Sequence, residues 1–159
     1  MDRITDRIIA ILTASVKTPR GIAAIYDGDI FMIPKGSIPA IVVSPNQSEV
    51  QTKTNMQDQD VYTIDITVIL DARDYFNVSA TAKSGLAILK NIMEERNSGT
   101  AHTLKTDTIL YAIRHTLDAD TDYALRSDCK INYGFNDQRV FPTVEANLQI
   151  QVISKVYTR

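Results

Sequence analysis

The last stretch of the chain, Val144 to Tyr157, alternates in near-perfect period two. Val144, Ala146, Leu148, Ile150, Val152 and Val156 share one parity, and Glu145, Asn147, Gln149, Gln151 and Lys155 share the other. Successive side chains of a pleated strand point to opposite faces, so the run predicts one long strand with an apolar and a polar face. At about 3.3 Å per residue it would reach roughly 40 Å, well beyond the usual strand of about five or six residues. Such a strand outruns the core of one small domain. It points to a sheet that extends into a partner, and to assembly rather than catalysis.

A second long strand is predicted where Tyr62, Ile64, Ile66, Val68 and Leu70 alternate with Thr63, Asp65 and Thr67. It is a natural antiparallel neighbour for the first. Ala40 to Val43 reads as a short strand that Pro39 and Pro45 bound and place near a sheet edge. Between these lies the most polar stretch, Ser44 to Asp60, with Val50 and Met56 as its large apolar side chains. It is either a solvated loop or a hairpin arm that orders against a partner, because it cannot bury enough apolar area alone.

Helical spacing of Ile4, Ile8, Ile11 and Leu12 predicts an amphipathic helix from about Asp2 to Ser15. Ala80 to Arg96 predicts a second, with Leu86, Leu89, Ile92 and Met93 inward, and Thr106 to Leu117 a third, with Ile109, Leu110, Ile113 and Leu117 inward. Asp27-Gly28 between Ile22–Tyr26 and Ile30–Ile33 is a hairpin signal, and Asp128 to Phe135 a further strand. The sum is an α+β fold, a mainly antiparallel sheet with two long strands and helices packed on one face, as a single domain over residues 1–159.

Chemistry is hard to find. No phosphate-cradling glycine loop and no nucleophile elbow occur. Asp118, Asp120 and Asp122 have the spacing that opens a calcium loop, but Tyr123 stands where that loop needs Gly and Cys129 where it needs Glu. The expectation is a loop of solvated carboxylates, with no metal and no cofactor. His102 and His115 read as surface residues, and Cys129 as a small residue on a strand face rather than a reactive thiol. The run Ile8–Leu12 lacks the positive start and the length of a secretory signal, and nothing approaches a membrane span. Seventeen basic against nineteen acidic residues, net −2, leave no basic footprint for gripping nucleic acid.

The order of these elements resembles the tail terminator (tail-completion) proteins of long-tailed bacteriophages. The features that carry it are an N-terminal amphipathic helix, the Ile38–Val43 strand, a polar excursion, the Val61–Asp71 strand, a helical pair, and the final Ala146–Val152 strand. The resemblance implies a non-enzymatic virion protein at the head-proximal end of the tail, present in the host cytoplasm during assembly. It implies a homohexameric ring that caps the tail tube, stops its polymerisation and offers a docking surface to a head-connector or neck protein. DNA would meet it only in passage through the lumen, which a mildly acidic surface would not retain. Interface residues are expected on the polar excursion, at Glu49, Gln51, Lys53, Asn55 and Gln57, and on the polar face of the last strand, at Glu145, Gln149 and Gln151. The alternatives are a neck or head-completion connector and, from another class, a small ligand-binding or enzymatic α+β domain.

Overall fold

The computed structural model describes residues 3–28, 32–75, 84–126 and 128–158. Helix α1 (Ile4–Leu12) runs into a wider turn over Thr13–Lys17. Strands β1 (Ala24–Asp27), β2 (Ala40–Thr54) and β3 (Gln57–Asp71) follow, then helices α2 (Gly85–Glu94) and α3 (Ile109–Asp118). Strands β4 (Tyr123–Leu125), β5 (Lys130–Asn136), β6 (Thr143–Ser154) and β7 (Tyr157–Thr158) complete the chain. Among the described residues all seven strands belong to one sheet, ordered β1-β2-β3-β6-β4, with β5 also on β6 and β7 on β3. Of these pairings β1–β2 is parallel and the others are antiparallel. The fold is α+β, as expected.

The two long strands pair with each other without a break, from Val61 opposite Ile153 to Asp71 opposite Thr143. Ile64, Ile66, Val68 and Leu70 on β3 and Val144, Ala146, Leu148, Ile150 and Val152 on β6 are all buried in one cluster beneath the three helices. Ile8 and Leu12 from α1, Leu89 and Met93 from α2, and Ile109, Ile113 and Leu117 from α3 complete it. Ser84 caps α2 by accepting from Ala87 N–H, and Thr108 caps α3 by accepting from Tyr111 N–H. A small second cluster of Ile33, Ala40, Val42 and Ile69 sits on the other face of the sheet, at the β1–β2 end.

Several expectations need correction. Strand β6 ends at Ser154, and Val156 is exposed rather than inward. The chain turns at Lys155, whose N–H bonds to Asp122 O, and carries Tyr157–Thr158 across to Gln57–Asp58. Strand β2 is not short: it passes through Pro45 to Thr54. Proline is tolerated there because of which way its missing N–H points. Val43 O accepts from Gly28 N–H on the β1 side, so two residues on, the N–H position of Pro45 faces that same side, where β1 has ended.

The hairpin expected at Asp27-Gly28, with a strand at Ile30–Ile33, falls largely outside the described residues. Gly28 has positive φ (92°), but β1 pairs with β2, residues 29–31 lie outside the described residues, and Met32 and Ile33 are not in a strand. The expected start of α2 at residues 80–83 is likewise outside them. Leu86 is exposed at 36%, because Gly85 takes the inward position and Leu86 lies a further ~100° round the helix, at its rim.

Candidate assembly surface

Residues 44–60 form an ordered β-hairpin, the distal halves of β2 and β3, turning at Asn55–Met56. Its root carries a bulge. Pro45 pairs with Ile64 and Gln47 with Thr63, which leaves Asn46 as the extra residue. The Asn46 amide donates to Asp65 Oδ2 at 2.8 Å, and the Gln149 amide donates to Asp65 Oδ1 at 3.3 Å. The bulge is thus tied to the helix-free face of the sheet.

Parity sorts the arm. Glu49 opposite Val61 and Gln51 opposite Gln59 lie on the helix-free side, where Lys53 Nζ donates to Gln51 Oε1 (3.3 Å) and Gln51 Nε2 to Glu49 Oε1 (3.4 Å). Ser48 opposite Tyr62 and Val50 opposite Asp60 lie on the helix side. There Asp60 accepts from Tyr62 (3.0 Å) and Tyr157 (2.9 Å) and its N–H donates to Ser154 Oγ, while from the other side Gln59 Nε2 donates to the backbone Ser154 O. Burial and the Asp60 bond push the Tyr62 phenol up to about 12. The C-terminal strap thus braces β3, the inner strand of the arm. Asn55 and Gln57 sit at its exposed tip, beside Met56.

The expected β6 residues are placed differently. Glu145, Gln149 and Gln151 do face the helix-free side, but each is already engaged within the chain. Arg139 Nε bonds to Glu145 Oε2 at 2.9 Å, with both side chains largely buried, and Thr143 also donates to that carboxylate. Arg126 Nη1 donates to Gln151 Oε1 at 3.2 Å. This face is a connected polar surface, to which Asn147 bonded to Thr67 (2.9 Å) belongs.

Helix α1 meets the root of the arm on the other side. Ile4 and Thr5, Pro45 and Ser48, and Tyr62 with Tyr123 line an open, mainly apolar crevice of about 340 Å³. The rings of Tyr62 and Tyr123 stand edge to face at 6.3 Å between centroids. The wall is fixed by an ion pair that sequence patterning does not reveal: Arg7 reaches across to Asp120 and to Asp122 (2.9 Å). Of the three carboxylates expected to be solvated, Asp118 is exposed, whereas Asp120 and the half-exposed Asp122 are paired with Arg7. Asp120 is 7% exposed, and burial works against its charge. Its bonds from Arg7 and from the N–H groups of Asp122 and Tyr123 outweigh that, and hold its carboxyl below the usual range.

A similar network joins Arg20 to Glu95 (2.7 Å) and Asp107 (2.6 Å), with Lys105 also on Glu95 (2.9 Å). Both histidines are exposed, and Cys129 is partly buried against the main cluster. Among the described residues no His/Cys/Asp/Glu group is arranged to hold a metal ion, and no helix is long and apolar enough to cross a membrane.

No protein-family model matches the chain, and no curated protein matches it.

Proposed function

We propose that the protein is a structural virion component that assembles into a homo-oligomeric ring, capping the tail tube of a long-tailed bacteriophage. The ring stops tube polymerisation and presents a docking surface to the head connector. The observation that supports this reading is the arm over residues 44–60: an ordered hairpin that leaves the helix-covered core and ends in an exposed turn carrying Met56, 66% exposed. A hairpin with no core of its own is marginal in water, and its natural use is to lie against another chain.

The arrangement also suits a ring. A cyclic contact is heterologous and needs two different surfaces on each copy. The arm provides one surface and the body of the sheet another. The helix-free polar face of β3 and β6 fits a lumen wall, and a chain of net −2 offers passing DNA little to hold. Helices over the opposite face of the sheet would then form the outside.

Removing the tip tests the reading. Deleting Thr52–Gln57 rejoins Gln51 to Asp58 beyond the last buried pair, so the body should still fold, with an unchanged circular dichroism spectrum and melting temperature. Tails assembled with the deleted protein should fail to join heads. Normal virions from that mutant would rule the arm out as the docking element. Negative-stain images of the intact protein added to tail tubes should show ring-capped ends of uniform tube length.

A further inference from the structure

We propose that copies of this chain join by strand addition, the free edge of β2 beyond Val43 pairing antiparallel with the free edge of β5 in the next copy. The inference deepens the ring reading and rests on it for closure of the contact into a ring.

Strand β2 has β3 along its whole length on one side, but on the other β1 covers only Ala40–Val43. From Ser44 to Thr54 that edge has no strand beside it among the described residues. Strand β5 is in the same position: β6 lies on one side, and no described strand on the other. Both therefore present a row of backbone donors and acceptors open to a further strand. Protection of the β2 edge is confined to its two ends, Pro45 with the Asn46 bulge at the root and the bulge at Lys53 near the tip, which leaves Gln47–Thr52 regular, and β5 carries one Lys, at its start.

Three observations select β5 of a second copy as the occupant. The first is direction. Strands β2 and β6 are both antiparallel to β3, and β5 is antiparallel to β6, so β5 runs antiparallel to β2. A rotation about an axis along the strands preserves that relation between neighbouring copies. The second is the position of exposed apolar side chains. Val50 on β2 (59% exposed) and Phe135 on β5 (73%) both point to the helix side, so edge pairing brings them onto one continuous face.

The third is charge. Glu49 on β2 and Lys130 on β5 carry opposite charges, and both lie on the helix-free side. Antiparallel pairing with Val50 opposite Ile131 sets Gln51 opposite Lys130 and Glu49 diagonal to Lys130, on the helix-free side. Pairing of β2 with a second β2 satisfies charge as well, but it leaves Phe135 in water and cannot propagate round a ring.

The test uses Val50→Lys and Phe135→Lys, both at exposed sites that leave the core intact; circular dichroism and melting confirm each fold. Sedimentation velocity is run on wild type, on each variant and on their equimolar mixture. Wild type should associate, and each variant alone should associate at least about tenfold more weakly. The mixture should recover a one-to-one dimer and nothing larger, because each partner keeps one intact edge.

In a Cys129→Ser background, Glu49→Cys and Asn132→Cys copies should form a disulfide with each other when mixed. Loss of association in V50K with F135K unimpaired would mean β2–β2 pairing and overturn the proposal. Association untouched in both variants would overturn the edge contact while leaving the ring. Wild type that never associates, in solution or on tail tubes, would overturn both.

Discussion

The root and the arm of the β2–β3 hairpin are one continuous ladder, yet they are held by different forces. At the root, Ile41, Val43, Ile64, Ile66 and Val68 are buried under helices on one face, and Val42 and Ile69 are buried on the other. In the arm, residues 45–50 and 52–57 are exposed, and pairing rests on backbone hydrogen bonds with side-chain ties at Asp65, Ser154 and Asp60. Burial contributes on the order of 2 kcal/mol per large side chain at the root and very little in the arm. The same backbone is therefore core at one end and exposed surface at the other.

The largest break in that comparison comes from opening the core beneath the root. Leu148, fully buried, pairs with Ile66 and packs under the helices. Leu148→Ala is expected to destabilise the fold by about 3–4 kcal/mol, the usual cost of a core cavity. Val50→Ala in the arm is expected to cost under about 0.5 kcal/mol. Chemical denaturation of both variants checks the contrast. Similar losses would mean that the arm packs on the body.

Next in size is the Arg7 contact that fixes α1 against the α3–β4 loop. Arg7→Ala leaves the buried Asp120 carboxylate without its cation, and is expected to cost about 3 kcal/mol. The same contact sets a pH dependence. The Asp120 carboxyl is held below its ordinary value in the folded state, so its contribution is fully present above the ordinary carboxylate range and is lost as pH falls toward the folded value. Asp120→Asn should therefore be less stable than wild type at neutral pH, with the gap narrowing in acid. A gap that stays constant from pH 7 to pH 3 would show that the carboxylate charge does not matter.

What could be read from residues alone follows the same division. Period-two burial along β3 and β6, and the inward stripe of α3, were legible because periodicity is local and the core selects one face. The pairing of the two long strands followed from their matching faces. The continuation of β2 through Pro45 was not legible, because it depends on where β1 stops. Nor were the contacts of Arg7, Arg20 and Arg139: the first two reach partners 75 to 115 residues away, and no periodic pattern marks them. The polar side chains of the arm were recognised as surface. The edges of β2 and β5 that have no strand beside them among the described residues were not, since such an edge is a property of topology and not of composition.

The smallest expected effect is the sharpest probe of the boundary between root and arm. Tyr157 donates its hydroxyl to Asp60 from the strap that pairs with Gln57–Asp58. Tyr157→Phe removes that donor from an exposed site without leaving a cavity, a change of at most about 1 kcal/mol. If arm and root are separate units, the loss is local. Amides over Gln57–Asp60 should exchange several-fold faster with deuterium, while those at Ile64–Leu70 keep wild-type protection and the melting temperature stays within about a degree. The arm then behaves as a semi-independent element, stiff enough to present its edge and cheap to rearrange on meeting a partner. Faster exchange spreading through Ile64–Leu70 would instead make the strap part of the core's cooperative unit, and the two ends of the hairpin would no longer be distinct.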